Sequence, residues 1–213
     1  MNDSSKLSRM ALESGAIRLS PEKPFTWASG YKMPIYNDNR LLLGKAEYRS
    51  FIAQIFAKYS EASVDNVDVI AGTATAGIPH ATTLADRLSK PLIYVRATTK
   101  SHGMGNQIEG PLVPGQKVLL IEDLISTGGS AINAVNAIRE VGGIVEHCFC
   151  IFTYGFIEAR QRFDEINCQY QSILTFPDLL KEAESMQMLP NDQIESLRIW
   201  HKEPFKWAEN KGF

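Results

Sequence analysis

Residues 117–131, KVLLIEDLISTGGSA, are the stretch that decides the fold. The stretch begins with an apolar run typical of a buried strand, then meets two adjacent acids, Glu122 and Asp123, and continues into serine, threonine and glycine. The small hydroxylated residues and glycines predict a loop that enters the N-terminus of a helix. We therefore expect the two acids at the carboxyl end of a buried strand.

Similar apolar runs alternate with helix-length segments from residue 65 onward. Apolar strands separated by helices are typical of a parallel sheet that is covered on both faces. The sequence therefore predicts an α/β fold with a central, mostly parallel sheet flanked by helices. The predicted strands are 67–73, 91–97, 117–123, 144–154 and 170–176, and the predicted helices are 46–62, 77–89, 128–143, 157–167 and 177–187.

Three regions are expected along the chain. Residues 1–64 hold an N-terminal helix and an irregular aromatic segment, residues 65–190 hold the α/β core, and residues 191–213 form a C-terminal helix that packs on the body. His80, His147 and His201 are interpreted as packing or surface residues.

Composition excludes several classes of function. The 213 residues are 44% apolar and 22% charged, with a formal net charge of -2, so no nucleic-acid partner is predicted. No apolar run approaches the roughly 20 residues of a membrane span, and the first residues lack the apolar core of a secretory signal. A cytoplasmic location is expected. The cysteines Cys148, Cys150 and Cys168 are predicted to be core residues, because their spacing fits neither a zinc site nor a redox motif.

The loop after the acids predicts a phosphate site. Its glycines let backbone N–H groups converge, and the helix dipole favours an anion there. The carboxylates of Glu122 and Asp123 would repel a phosphate, so they are expected to accept hydrogen bonds from hydroxyls or to hold a cation. A ribose 5-phosphate fits both parts of this site, with its phosphate at the loop and its hydroxyls at the two acids. The alternative is that the acids merely cap a surface helix.

These residues resemble a known family. The stretch VLLIEDLISTGGSA is similar to the 5-phosphoribosyl 1-diphosphate (PRPP) signature of type I phosphoribosyltransferases. Residues 94–110, YVRATTKSHGMGNQIEG, resemble the catalytic loop of orotate phosphoribosyltransferases, and residues 25–40, FTWASGYKMPIYNDNR, resemble their N-terminal hood. The resemblance extends over most of residues 7–155 and implies a Rossmann-like, PRPP-binding core with a small hood.

The resemblance also implies a reaction and its residues. Ribose 5-phosphate would pass from PRPP to orotate, giving orotidine 5'-monophosphate and pyrophosphate for UMP biosynthesis, with Mg²⁺ as cofactor, no metal cage of protein ligands, and a homodimer that shares its active sites. The implied catalytic residues are Lys100, His102 and Asp123. The implied PRPP-binding residues are Arg96, Lys100, His102, Glu122, Asp123, Leu124, Ile125, Ser126, Thr127, Gly128, Gly129 and Ser130. The implied pyrophosphate loop is Thr73, Ala74, Thr75 and Ala76, and the candidate orotate contacts are Ser126, Lys32 and Tyr36.

The chain departs from the family pattern in places. Ala28, Ala76 and Ala97 stand where many relatives carry lysine, and FTYGFIEAR replaces an Asp-Arg pair that meets the base. Two alternatives remain: a type I phosphoribosyltransferase for a purine base, and a non-catalytic regulator that senses PRPP. The hood and the KSHG loop argue against the first. The retained loop cations, and an N-terminus too short and too weakly basic for a DNA-binding module, argue against the second.

Overall fold

The computed structural model describes residues 2–27, 29–64, 66–98 and 107–213. The chain divides into two compact units: a terminal unit of residues 1–44 and 176–213, and a sheet unit of residues 45–175. These boundaries differ from the three predicted regions. The helix after residue 45 belongs with the sheet, and the helix after residue 175 belongs with the N-terminal segments.

The chain forms ten strands, eight α-helices and one 3-10 helix in its described part. The strands are β1 Ile17–Leu19, β2 Phe25–Thr26, β3 Lys32–Met33, β4 Ile35–Asn37, β5 Val69–Thr73, β6 Leu92–Val95, β7 Ile108–Glu109, β8 Lys117–Ile125, β9 Ile144–Thr153 and β10 Gln169–Thr175. The helices are α1 Asp3–Glu13, α2 Ala46–Ser63, α3 Gly77–Leu88, α4 Gly129–Glu140, α5 Ile157–Glu165, α6 Phe176–Ser185, α7 Asn191–Lys202 and α8 Trp207–Lys211, with a 3-10 helix at Asn39–Gly44.

The sheet unit contains a six-stranded sheet in the order β10-β9-β8-β5-β6-β7. Every neighbouring pair is parallel except β6 with β7, which is antiparallel. The predicted α/β fold with a mostly parallel sheet is confirmed. Because β8, β5 and β6 are parallel neighbours, the loops that follow them lie at one edge of the sheet, where ligands bind in such folds.

The core of the sheet unit explains the apolar runs. Strand residues such as Val69 and Leu120 are fully buried, as are Val135 and Ile138 from α4. The three cysteines are free and buried, as the sequence analysis expected. Within the described ranges, each helix falls short of the combined length and apolarity that crossing a bilayer requires.

The terminal unit is more regular than the sequence suggested. Segment 13–40, expected to be irregular, forms two antiparallel strand pairs, β1 with β4 and β2 with β3. The tail, expected to be one helix, forms two, because α7 ends just before Pro204, which lacks the N–H that a helix needs. The unit is held by buried aromatics and polar contacts: the indole of Trp200 donates to the sulfur of Met33 (3.1 Å), and Arg9 pairs with Glu182 (2.6 Å).

His80 on α3 is the most deeply buried histidine in the described chain. Its imidazole Nδ1 is enclosed and has no hydrogen-bond partner among the described residues. Burial, with a smaller contribution from the charge of Arg49, lowers the pKa of His80 from 6.5 to about 4. The imidazole is therefore neutral in the folded protein at any pH above that range, which agrees with a packing role.

A buried neutral histidine makes the fold sensitive to acid. The unfolded chain takes up a proton near pH 6.5, whereas the folded chain resists protonation to about pH 4, so stability falls as pH decreases through this window. We expect protonation of His80 to lower the unfolding free energy by roughly 2 to 3 kcal/mol between pH 7 and pH 4. His80→Leu should flatten the decline in urea-unfolding free energy measured over that range. His147→Leu, at a half-exposed position of β9, is the matched control; equal acid sensitivity of the two variants would contradict the assignment.

Candidate active site

Glu122 and Asp123 lie inside strand β8. The prediction that they end the strand is wrong by two residues, because β8 continues its parallel pairing with β9 as far as Ile125, opposite Thr153. Consecutive strand residues point to opposite faces of a sheet. Accordingly Glu122 is 4% exposed, whereas Asp123 is only partly buried. The two acids thus have different surroundings, although the sequence analysis treated them as a pair.

The Glu122 carboxyl accepts three hydrogen bonds from the protein. The Thr73 hydroxyl donates to its Oε1 (2.7 Å), the Asp123 backbone N–H donates to the same oxygen (2.9 Å), and the Ser130 hydroxyl donates to Oε2 (2.9 Å). These donors come from the end of β5, from β8 itself and from the first turn of α4. One buried carboxyl therefore fixes the loop after β5 relative to the loop after β8.

The surroundings of Glu122 favour its protonated form. Burial raises its pKa most strongly, and the charge of Asp123 and a hydrogen bond with the Asp123 side chain raise it further, to about 8. The bond from Thr73 acts in the opposite direction. The Glu122 carboxyl therefore keeps its proton at neutral pH.

The predicted phosphate loop consists of a short connection and a helical turn. Residues 126–128 connect β8 to α4, and Gly128 has φ of +83°, a conformation that glycine adopts without a steric penalty. The first hydrogen bond of α4 runs from the Ile132 N–H to the Gly128 carbonyl (3.0 Å). The N–H groups of residues 129–131 are therefore left without partners inside the helix, as at any helix N-terminus. They converge where an anion is favoured.

The loop after β5 has fewer free donors than the sequence analysis expected. The Thr73 hydroxyl is bonded to Glu122, and the Ala74 N–H donates to the Val95 carbonyl (2.8 Å). The exposed Thr75, joined to Ala74 by a cis peptide bond, and the neighbouring Ala76 keep donors that a ligand can reach.

Gly77, which begins α3, allows this arrangement. A Cβ at this position would lie 2.5 Å from the Thr73 hydroxyl oxygen and 2.6 Å from the Ile121 carbonyl oxygen. Any larger residue would displace the hydroxyl that holds Glu122.

Strands β6 and β7 form the base of the predicted catalytic loop. The Arg96 N–H donates to the Gln107 carbonyl (2.9 Å), and the Gln107 side chain donates to the Arg96 carbonyl (2.7 Å). We call this pair the loop neck. The Arg96 guanidinium, 35% exposed, lies 3.6 Å from the Glu109 carboxylate. Lys100 and His102 fall outside the described residues, so their predicted roles stay predictions.

The candidate orotate contacts are divided between the two units of the chain. Ser126 belongs to the phosphate loop, whereas Lys32, exposed on β3, and Tyr36, half-buried on β4, belong to the terminal unit. In that unit the Arg18 guanidinium lies 5.3 Å from the ring centroid of Phe25 and 5.0 Å from that of Tyr36. The sequence analysis did not single out Arg18. The roles of the three candidates toward a base remain predictions.

Two further residues contact the phosphate loop and were missed by the sequence analysis. The Arg162 guanidinium on α5 donates to the Thr127 carbonyl (3.0 Å), and Phe163 packs beneath Gly128. The apolar spacing of Ala159 and Phe163 on α5 could have identified Phe163 as inward-facing. Nothing in the local sequence distinguishes Arg162 from Arg160, the other arginine of that helix.

Comparisons with known proteins agree with this arrangement. Residues 42–175 match the family model described as the phosphoribosyl transferase domain. An orotate phosphoribosyltransferase from Listeria monocytogenes is 44% identical over 209 residues, which cover 98% of this chain and 100% of that protein.

Solved structures share the fold. The orotate phosphoribosyltransferase from Aeropyrum pernix superposes with a TM-score of 0.74 at 27% identity, covering 86% of this chain and 99% of that one. The UMP synthase from Leishmania donovani superposes with a TM-score of 0.80 over 95% of this chain and 43% of that longer chain. At 24% identity, the second similarity concerns the fold alone.

The protonated Glu122 should make stability decrease toward alkaline pH. The folded protein keeps a proton that the unfolded chain loses above pH 4.5, so the stabilisation is complete below that value, declines as pH rises and is lost above about pH 8. We expect the urea-unfolding free energy of Glu122→Gln, which cannot ionise, to fall less than that of the wild type between pH 5 and pH 9. Glu146→Gln, at an exposed position of β9, is the control. If the unfolding free energies of Glu122→Gln and the wild type changed with pH in parallel, the raised pKa of Glu122 would be disproved.

Proposed function

The chain belongs to the orotate phosphoribosyltransferase family, and on this premise we propose that it transfers ribose 5-phosphate from PRPP to orotate, giving orotidine 5'-monophosphate and pyrophosphate in pyrimidine biosynthesis. In this reaction a bond forms between orotate N1 and the anomeric carbon, and the bond from that carbon to the pyrophosphate oxygen breaks. The observation that carries the proposal is the placement of the acid pair directly beside a helix N-terminus with unpaired amides.

The sugar phosphate fits this arrangement at both ends. The amides of residues 129–131 would bind the 5-phosphate, where the helix dipole also favours negative charge. The partly exposed Asp123 would accept hydrogen bonds from the ribose hydroxyls. Glu122 would reach a ribose hydroxyl only after one of its present donors turns away. Ser130, which belongs to the phosphate loop, is the donor best placed to do so. We therefore propose that Asp123 contacts the ribose hydroxyls directly, and that Glu122 contacts them only when Ser130 turns away.

The pyrophosphate end requires positive charge and donors. Thr75 and Ala76 offer the accessible donors of the loop after β5, and Arg96 adds a guanidinium that Glu109 holds nearby. By resemblance, Lys100 and His102 would complete the set from the catalytic loop. Donors placed where negative charge develops stabilise the departing group more than the bound substrate, which is the condition for a faster reaction.

We also propose Mg²⁺ as the cofactor. Among the described residues, no group of three or more His, Cys, Asp or Glu side chains is arranged to hold a metal ion. Mg²⁺ fits such a site, because it keeps several waters and commonly binds through substrate phosphates with one or two carboxylates. Asp123 is the carboxylate that would serve it here. When bound, the ion would neutralise charge on the pyrophosphate.

A spectrophotometric assay of the purified protein with orotate, PRPP and Mg²⁺ tests the proposal. We expect consumption of orotate that depends on PRPP, and none of adenine, hypoxanthine, xanthine or uracil. A preference for one of the purines would instead support the purine-specific alternative. Binding of PRPP with no base consumed would support a regulator.

The shared active site of a homodimer predicts complementation between two defective chains. Lys100→Ala should lower kcat by a factor on the order of 10² with little change in PRPP affinity, because its charge would act on the leaving group. Asp123→Asn should weaken PRPP binding without lowering the melting temperature. If the loop of one subunit serves the site of the other, mixing the two variants restores one intact site per mixed dimer.

The readout is the specific activity of the mixture against each variant alone. Activity no higher than the average of the two separate variants would contradict sites shared across a dimer.

A further inference from the structure

We propose that Arg162 binds the 5-phosphate group of the sugar substrate, acting across the phosphate loop from helix α5. The inference rests on the proposed function and adds a residue that lies outside the PRPP signature. Arg162 would supply the positive charge that residues 126–130 lack. Three observations carry it: the position of the guanidinium, the packing that fixes its helix, and the charge balance around the loop.

The guanidinium lies directly against the loop. Its Nη1 donates to the Thr127 carbonyl (3.0 Å), and a Cβ built on Gly129 would be 3.9 Å from the same nitrogen. Gly129 is the first residue of α4, whose unpaired amides are the proposed phosphate donors. A guanidinium has five N–H groups, and the bond to Thr127 uses only one. The remaining donors are free to bind a phosphate held at the amides of residues 129–131.

The helix that carries Arg162 is fixed against the loop. Phe163, the next residue, is 1% exposed, and its Cε2 would be 3.1 Å from a Cβ on Gly128. The same ring packs on Tyr170 of β10, with centroids 4.8 Å apart. The anchor is buried and rigid, so Arg162 needs to order only its own side chain. An arginine on a fixed helix loses less entropy on binding than a lysine on a free loop would.

The charge balance around the loop leaves a role for a cation. A phosphate monoester carries about two negative charges near pH 7, and residues 126–130 contain no lysine or arginine. Helix N-termini contribute only about half a charge. In the described part of the chain, Arg162 forms no ion pair, although Glu158 and Glu165 lie on the same helix. Its charge is therefore available to an incoming anion.

Arg162 should act on binding and not on the chemical step. The 5-phosphate keeps its place from PRPP through to the nucleotide product, so a contact to it is made equally in substrate and transition state. Loss of such a uniform contact raises KM and leaves kcat nearly unchanged. A residue that only supported the loop would, when changed, lower the melting temperature together with the affinity, whereas loss of a direct contact lowers the affinity alone.

The experiment measures binding of ribose 5-phosphate and of inorganic pyrophosphate by titration calorimetry to the wild-type protein, Arg162→Met, Arg162→Lys and Arg160→Met. Arg160 is the matched control: it carries the same charge on the same helix, but it lines a cavity of about 740 Å³ together with Gln169 and Gln171. Melting temperatures of all variants check the fold, and Arg162→Lys keeps the charge if Arg162→Met is poorly folded. These measurements need no orotate, so they are independent of whether the proposed reaction occurs.

We expect Arg162→Met to bind ribose 5-phosphate roughly tenfold or more weakly, as loss of a charge-assisted hydrogen bond implies. Arg162→Lys should recover part of that loss, pyrophosphate binding should be unchanged, and Arg160→Met should resemble the wild type. Equal affinity of Arg162→Met and wild type for ribose 5-phosphate would overturn the assignment, as would an equal loss for both ligands. If the protein did not consume orotate but Arg162→Met still bound ribose 5-phosphate more weakly than the wild type, only the proposed function would be rejected.

Discussion

The organisation of the candidate site depends on a buried carboxyl. Glu122 can be buried only because Thr73, Ser130 and its own neighbouring amide supply hydrogen bonds that replace water, and because it can keep a proton. Those donors belong to three different elements, so satisfying one side chain sets the relative position of two ligand loops. Gly77 is part of the same constraint, since any side chain there would push the Thr73 hydroxyl away.

The parallel sheet supplies the remaining geometry. Strands β5, β6 and β8 deliver their loops to one edge. The acid pair lies near the end of β8 and the helix amides follow it, donors follow β5, and the Arg96 guanidinium follows β6. Negative charge on a substrate is thus met mostly by backbone dipoles and by a few basic side chains. This distribution suits a ligand with phosphoryl groups at both ends of a sugar.

Sequence patterns predicted the sheet and the glycine-rich loop that enters α4 well, because both follow from local chemistry. Apolar runs mark the buried strands, and a glycine-rich segment after a strand marks an anion site. The extension of β8 to Ile125 was missed, because pairing with β9 decides where the strand ends. The antiparallel pairs within residues 13–40 depend on contacts between segments distant in sequence. The engaged donors of Thr73 and Ala74, and the approach of Arg162 to Thr127, are likewise tertiary.

The loop neck has a consequence for how the protein can vary. Arg96 and Gln107 are joined by one backbone hydrogen bond and by one that the Gln107 side chain donates, and β6 and β7 pair directly next to them. Positions 96 and 107 are therefore joined at a single paired rung. Segments of different length and composition can be grafted at that rung while strand order and core stay the same. Selection can thus tune the chemistry of the intervening residues separately from the folding of the domain that carries them.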